Sequence, residues 1–330
     1  MEVLAAIVDA PAAEPRVGSI ILPRRAAGTT LLAVQAAPLN PLDLLIASGN
    51  FHSARHEDPY VPGSECIGVV LESDSYPIGS VVYAECTASP LTPGSFSARM
   101  LVSDDNVLVL PDALDPVRAA AVGNSGVAAY LPLVESARMK VGETIVVLGA
   151  TGAVGQLAVQ IAHARGAGRV VGVGRDRAVL ESLRMFGADA VVELRIDETS
   201  ADLAARLRLA SGPVDVIIDA LYGQPLEAAL QVCAPRARVV NIGHSAGATA
   251  VIPAGLLRGK QLTMVGFAGL HTPLKEKQPA LNWLWSALAA GTLNVNVKTV
   301  QLEELPTAWR AQALSPHAKY VVVPLAARCR

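Results

Sequence analysis

Residues 148–156 read LGATGAVGQ, with Gly149, Gly152 and Gly155 three apart. Upstream stands the β-branched run Thr144-Ile145-Val146-Val147, and downstream Leu157-Ala158-Val159-Gln160-Ile161-Ala162 favours a helix. A strand that ends in three spaced glycines and feeds a helix has few ways to fold. The first glycine permits a tight turn. The second removes a Cβ where a pyrophosphate would approach the backbone, and the third lets helix and strand pack closely. Phosphates then sit at the helix N-terminus, where unpaired N–H groups and the helix dipole favour negative charge. Gly149, Thr151, Gly152, Ala153, Val154 and Gly155 are therefore candidate cofactor-binding residues. Residues 145–162 carry no charge and reach nominal membrane-span length. The glycines, Thr151, two glutamines and a helical period that starts only after Gly155 favour a buried strand–turn–helix instead.

The next apolar strand, Arg169–Val173, narrows the cofactor. A site for NAD expects Asp or Glu at its end, accepting from the ribose 2′-hydroxyl. This chain has Gly174, then Arg175-Asp176-Arg177. Without the acid a 2′-phosphate is not repelled, and guanidinium groups bind phosphate bidentately. Gly174, Arg175 and Arg177 thus point to NADP(H). The competing reading makes Asp176 the ribose acid and leaves the arginines as solvated surface.

From Glu143 to Ile242 strands and helices alternate, the pattern of a parallel sheet wrapped by helices. The first 115 residues differ: short apolar runs separated by Pro, Gly, Asp and Ser suit a compact β-rich domain. Residues 116–134 read as helical with a break at Gly123-Asn124-Ser125-Gly126. The tail mixes extended and helical stretches and closes on KYVVVPL. At 330 residues the chain exceeds one small core. The expected fold class is α/β: a Rossmann doubly wound parallel sheet over 119–263, and a β-rich domain over 1–118 that the tail, 264–330, completes.

Composition removes other classes. Charged residues are 17% and apolar residues 52%, which disfavours disorder. Net charge is −2 with no basic block, so nucleic acid is a poor partner. Mean hydropathy is high, +0.39, but MEVLAAIVDAP lacks a basic leader region, and neither a signal peptide nor a membrane partner is expected. Cys66, Cys86, Cys233 and Cys329 form no CxxC, which fits a reduced, cytoplasmic protein. Histidines with zinc-ligand spacing are lacking, and no metal site is expected.

Several segments together resemble the medium-chain dehydrogenase/reductases, in the zinc-independent quinone oxidoreductase branch. Asn40-Pro41-Leu42-Asp43 resembles the family's N-P-x-D. Pro62-Gly63-Ser64-Glu65-Cys66-Ile67-Gly68-Val69-Val70 resembles P-G-x-(D/E)-x-x-G-x-V, and Gly94-Ser95-Phe96-Ser97-Ala98 resembles G-(A/S)-(F/Y)-A-E. Ala128-Ala129-Tyr130, the glycine turn and Lys319-Tyr320-Val321-Val322 complete an ordered series over the whole chain. The resemblance implies a GroES-like fold for the β-rich catalytic domain and a nicotinamide held in a cleft between domains. Zinc-dependent relatives place Cys, His-Glu and a further Cys or Asp around their metal; the matching positions here hold Asn40 and Ser64-Glu65.

The implied reaction is hydride transfer from NADPH to a small hydrophobic quinone, or to the β-carbon of an α,β-unsaturated carbonyl (an enone). Asn40 is the candidate catalytic donor to the carbonyl oxygen. Asn124 faces the nicotinamide or caps a helix. Gly243 and Phe267, in Asn241–His244 and Val265–Phe267, offer backbone groups to the carboxamide. Many relatives carry Tyr and Arg where this chain has Leu45 and Ala47, so the usual proton donor is gone; Tyr60, Tyr222 and His244 are possible substitutes. Leu44, Leu45, Phe51 and Leu270 are candidate pocket residues, or else core. A homodimer through the apolar edge strand Leu262–Phe267 is expected. The alternative function is an NADP(H)-binding sensor or partner module with little turnover.

Overall fold

The computed structural model describes residues 1–49, 59–86, 93–112 and 114–324. Phe51 and Cys329 lie outside the described residues.

The chain begins with strands β1 (Glu2–Ile7), β2 (Arg16–Ile21) and β3 (Thr29–Pro38), then helix α1 (Pro41–Ala47) and strands β4 (Glu65–Glu72), β5 (Val81–Glu85), β6 (Arg99–Ser103) and β7 (Val107–Val109). Two helices follow, α2 (Pro116–Ala121) and α3 (Gly123–Leu131). The alternating stretch gives β8 (Thr144–Leu148), α4 (Ala153–Ala164), β9 (Arg169–Gly174), α5 (Arg177–Ser182) and β10 (Ala190–Glu193). It continues with α6 (Ser200–Ser211), β11 (Val214–Asp219), α7 (Gly223–Val232), β12 (Cys233–Asn241), α8 (Ala254–Lys260) and β13 (Thr263–Gly266). The tail contributes α9 (Leu274–Ala289), β14 (Val297–Gln301), α10 (Leu305–Ala313) and β15 (Lys319–Val323).

The chain divides into two units. One holds Met1–Asn124, Pro273–Ala289 and Val295–Arg330; the other holds Ser125–Thr272 and Ala290–Asn294. Sequence patterning puts the second boundary at 263/264. It lies at 272/273 because β13 pairs in parallel with β12, Val239 opposite Met264 and Val240 opposite Val265.

In the first unit a mixed sheet runs β14-β15-β3-β4-β5-β7, and β6 also pairs with β3. Strand β3 is long enough to serve two partners on one edge. Thr29–Ala33 pair with β6, and Ala37 and Pro38 pair with β15. Strands β3–β6 are buried over runs of consecutive residues, so both of their faces are covered there, and Leu32, Val70, Phe96, Met100 and Val322 pack into one core. Apolar patterning alone does not show β2 and β6: RVGSII carries a glycine, and RMLVS is short.

In the second unit the sheet order is β10-β9-β8-β11-β12-β13, and every pair is parallel. This is the doubly wound order, with the chain reversing direction across the sheet between β8 and β11. Residues of β8, β9 and β11 are buried, consistent with helices covering both faces. Ligands in such sheets bind beyond the carboxyl ends of the strands at that switch point. No helix of the described residues is long and apolar enough to cross a membrane.

Candidate active site

At the carboxyl end of β8 the glycines do three different jobs. Gly149 has φ +88°, which L side chains rarely adopt. Its N–H and that of Ala150 both donate to the Val173 carbonyl, at 2.9 and 2.8 Å, tying the turn to β9. A Cβ on Gly155 would lie 2.6 Å from Ala150 Cα and closer still to the Gly149 carbonyl oxygen, so only glycine lets α4 pack here. A Cβ on Gly152 would meet nothing nearer than the Gly149 oxygen at 3.6 Å. The space before α4 is open at that position.

Gly152 is the N-cap of α4 and supplies no side-chain cap. The first N–H groups of α4, from Ala153 and Val154, therefore point out of the helix without intrahelical partners. Thr151 is buried, and its carbonyl accepts from Gln156 Nε2 at 2.8 Å. Its methyl explains Gly174 in part: a Cβ on Gly174 would lie 2.6 Å from Thr151 Cγ2. The glycine at the end of β9 is thus a packing requirement as well as the loss of an acid. Beyond it, Asp176 caps α5 and accepts from the Val179 N–H at 3.0 Å. Arg175 and Arg177 are exposed, and neither makes a hydrogen bond or ion pair among the described residues.

The ends of β11 and β12 are clamped together. Asp219 is fully buried and accepts from the Leu221 and Tyr222 N–H groups at 2.9 and 2.8 Å. It also accepts from Asn241 Nδ2 at 2.9 Å. Burial raises its pKa, against the pull of these donors. Asn241 Nδ2 donates to the Gly243 carbonyl too, at 2.7 Å, and the Phe267 N–H donates to the Asn241 carbonyl at 2.9 Å. Gly149, Gly174, Gly243 and Phe267 thereby stand at the carboxyl ends of neighbouring strands in one sheet. Tyr222 takes φ 57° in the turn after Asp219, packed against the unit's core, and His244 is exposed.

A second polar centre is buried in the first unit. The β3–β15 pairing, continued by the Leu39 N–H donating to the Tyr320 carbonyl at 2.9 Å, sets Lys319 beside Asn40. Lys319 Nζ donates to Asn40 Oδ1. The Asn40 amide nitrogen donates to Glu65 Oε1 at 2.9 Å, with Pro38 O and Ser64 Oγ at 3.3 and 3.4 Å. The Asn40 N–H donates to Asp43 Oδ2 at 2.7 Å. Glu65 Oε2 accepts from the Asn124 N–H at 2.7 Å and from the Tyr83 hydroxyl at 2.8 Å. Tyr83 also lies 3.0 Å from Glu85 Oε1, and Lys277 Nζ donates to Glu85 Oε2 at 2.6 Å. Burial raises Asp43 to about 7 and raises Glu65 and Tyr83, while it lowers Lys319.

This centre reshapes two expectations. The sequence reads 123–126 as a helix break, yet these residues open α3. The Glu65 carboxylate meets the Asn124 N–H there, a negative charge at the positive end of a helix. Gly123 is required because a Cβ would come 2.8 Å from Tyr83 Cε2 and nearer to Glu65 Oε2. Asn40, expected to donate to substrate, is 1% exposed and already gives its amide hydrogens to the protein. Tyr60 is buried in the core of this unit. Leu44 packs on that core, Leu45 is 38% exposed, and Leu270 is half-buried in the other unit.

Comparison with known proteins fixes the lineage. The alcohol dehydrogenase GroES-like domain family matches residues 26–112, and the zinc-binding dehydrogenase family matches 153–286. The quinone oxidoreductase of Sus scrofa is 31% identical over 269 residues, 79% of this chain and 76% of that protein. The chain belongs to the medium-chain dehydrogenase/reductases, among their quinone oxidoreductase-like members.

Other medium-chain dehydrogenase/reductase relatives are of varied size. A phenolphthiocerol/phthiocerol polyketide synthase component of Mycobacterium tuberculosis is 31% identical over 304 residues, 88% of this chain. The chain spans only 13% of that protein's length. A mycobacterial protein solved in complex with NADPH superposes with a TM-score of 0.85 at 20% identity, covering 98% of this chain and all of that one, and so shares the fold.

Medium-chain dehydrogenase/reductases of the zinc-binding kind need a set of metal ligands. Among the described residues no three His, Cys, Asp or Glu side chains are grouped to hold a metal ion. Asn40, Ser64 and Glu65, at the positions where zinc-dependent relatives carry ligands, are bound to one another. Dinucleotide is a different matter: the open space at Gly152 and the uncapped start of α4 fit a pyrophosphate. Sequence reasoning misses Glu65, Tyr83, Glu85 and Lys277 as a centre. The available signal is one acid in the otherwise apolar run ECIGVV, on a strand whose neighbours are buried.

Proposed function

We propose that this chain is an NADPH-dependent oxidoreductase that reduces a quinone or an α,β-unsaturated carbonyl without a metal at its reacting centre. The observation that carries the reading is the carboxyl edge of the second unit's sheet. An uncapped α4 N-terminus stands beside an open glycine, and two unpartnered arginines follow β9 where an acid would select NAD. Asp176 is engaged as a helix cap, which weakens its claim on a ribose.

NADPH, when bound, supplies a hydride. In this reading the N–H groups of Ala153 and Val154 hold the pyrophosphate, and Arg175 and Arg177 hold the 2′-phosphate. Backbone groups near Gly243 and Phe267 orient the carboxamide, fixed by the Asp219–Asn241 clamp. Asn124 and Asn40 are both tied to Glu65, which makes Asn40 a positioning residue first. The relatives named quinone oxidoreductase support the acceptor class.

The test is consumption of NADPH with a panel of quinones, enals and enones, alongside titration with NADPH and NADH. Turnover with a member of the panel and tighter NADPH binding support the reading; tighter NADH binding overturns the cofactor assignment. A second reading, an NADP(H)-binding sensor with little turnover, rests on Leu45 and Ala47 and on the engaged Asn40 amide. It gains if NADPH binds and no acceptor on the panel is reduced. Strand β13 pairs only with β12 among the described residues and exposes Val265, which supports a homodimer through that edge. A monomer in sedimentation at micromolar concentration would count against it.

A further inference from the structure

Strands β9 and β10 end side by side, with Gly174 directly opposite Glu193 in the parallel ladder. Residues paired in this way share a face of the sheet. A Cβ on Gly172 or Gly174 would meet Leu180 of α5, and one on Gly174 would also meet the Thr151 side chain. This face therefore carries α5 and the phosphate turn. Val192 and Leu194, on either side of Glu193, pack instead into the core that holds Leu203 and Leu207 of α6. The Glu193 side chain thus stands on the α5 face, about 5 Å to the side of the position where the acid of an NAD site would stand. Its backbone is braced. The Leu194 N–H donates to the Gly174 carbonyl at 2.7 Å, and the Glu193 carbonyl accepts from Arg206 Nη2 at 2.7 Å. Its carboxylate is not: it is half-buried and has no hydrogen-bond or ion-pair partner among the described residues.

A carboxylate that has given up part of its water and found no donor is unfavourable until a ligand supplies one. Three guanidinium groups stand at the same strand ends, on Arg175, Arg177 and Arg195; all are exposed, and none pairs with Glu193. We propose that Glu193 supplies from β10 the acid that β9 lacks, accepting from the adenosine 2′-hydroxyl of NADH, so that the site holds NADH as well as NADPH. Glutamate is one methylene longer than aspartate, which suits a carboxylate that reaches across from the neighbouring strand. The preference for NADPH is then a balance of opposed charges. In NADPH the 2′-phosphate stands where the hydroxyl would meet Glu193, and the two anions repel. The arginines offset that repulsion with charge-assisted bonds to the phosphate. In NADH the arginines have no phosphate to hold, and the hydroxyl gives its single hydrogen to Glu193. Asp176 is engaged elsewhere, as the N-cap of α5.

This role rests on the dinucleotide reading proposed above, and the experiment keeps the two apart. The full chain and its Glu193→Gln variant are titrated calorimetrically with NADH and NADPH, and with 5′-AMP and adenosine 2′,5′-bisphosphate, which carry only this half of each nucleotide. Glutamine keeps the length of the side chain and removes its charge. The wild type is expected to bind both dinucleotides. In Glu193→Gln, NADH and 5′-AMP should weaken roughly tenfold, while NADPH and the bisphosphate tighten about twofold to fivefold. Changes of opposite sign are the signature, because a variant that has lost structure weakens both. A parallel fall, which a contact to the shared adenine would also give, overturns the role of Glu193. So does no change in either, and in both cases NADPH binding still upholds the dinucleotide reading. If NADH weakens in Asp176→Ser and not in Glu193→Gln, the ribose acid is Asp176 and the proposal is wrong. A wild type that binds neither dinucleotide overturns the proposal and the reading together.

Discussion

The two polar centres of this chain are built from opposite materials. The glycine turn of the second unit is made of backbone: it works by lacking side chains at Gly149, Gly152 and Gly155. The centre of the first unit is made of side chains, with Lys319, Asn40, Glu65, Tyr83, Glu85 and Lys277 linked in a buried line. The turn exposes N–H groups that await an anion. The line leaves little unsatisfied, because each carboxylate already meets an N–H or O–H. A cradle of backbone N–H groups costs little to keep, since water can pair with such groups where they are exposed. A buried ionic line is costly unless it is complete, because each ion has lost its hydration. The difference predicts that the first unit tolerates loss of one charge far less than the second tolerates loss of its ligand contacts.

Lys319→Met gives the largest effect. It leaves Asp43 without its nearby buried cation and removes the donor to Asn40 Oδ1, and the expected loss is about 3–5 kcal/mol of unfolding free energy. Chemical denaturation checks it; a loss below about 1 kcal/mol would mean that the line is not held by charge. The pH dependence sharpens the same point. Burial raises Asp43 to about 7 in the folded protein, above an ordinary Asp near 4. The folded state then binds a proton that the unfolded state gives up. The stability from this group is complete below about pH 4 and is lost as pH rises through about 7. Glu65 is raised and acts in the same sense. Lys319 is lowered, so its contribution runs the other way and is lost as pH falls through its folded-state value. Asp43→Asn is expected to flatten the decline of stability between pH 5 and 7 (about one proton's slope at most); an unaltered slope assigns the decline to other groups.

The third expectation lies within the turn and separates its glycines. Gly155→Val drives a side chain into Ala150 and the Gly149 carbonyl. Backbone must move, at a cost of about 3 kcal/mol. Gly152→Val enters open space and should change unfolding free energy by less than about 1 kcal/mol, while NADPH affinity collapses. If both variants fall equally in denaturation, the space at Gly152 is structural and the cradle argument fails.

The same contrast explains what can be read in advance. The second unit is legible because its information is local. A strand, three glycines and a helix lie within some twenty residues, and each glycine has one physical reason that does not depend on the rest of the chain. The alternation of strands and helices after Glu143 indicates the sheet class in the same way. The first unit's centre joins Asn40 to Lys319, 279 residues apart, and Glu85 to Lys277, 192 apart. No local pattern announces such a pair. Its members look like ordinary surface charges until the pairing of β15 with β3, and of β5 with β4, brings them together. The helix start at Gly123 escapes sequence reading for the same reason, since its cap is a carboxylate from β4. Strand β13 falls on the wrong side of the expected boundary because its partner β12, and not its own composition, decides where it belongs.

The smallest effect is the most selective. Arg175 and Arg177 are exposed and unpaired among the described residues, so truncating them removes no packing and leaves no buried group unsatisfied. The Arg175→Ala/Arg177→Ala variant should therefore unfold as the wild type does, within about 0.5 kcal/mol. Its NADPH affinity should fall roughly tenfold to hundredfold, the loss of charge-assisted bonds to a phosphate worth about 1.5–3 kcal/mol. Binding of NADH, which has no 2′-phosphate, should hardly change. Calorimetric titration with both nucleotides reads the difference directly. A parallel fall for NADH would move the arginines to the pyrophosphate, and no fall for either would return them to solvated surface and reopen the question of Asp176. Because that carboxylate is the N-cap of α5, Asp176→Ser offers the complement: serine keeps the cap, so a change in NADH affinity alone would expose a ribose role that the cap conceals.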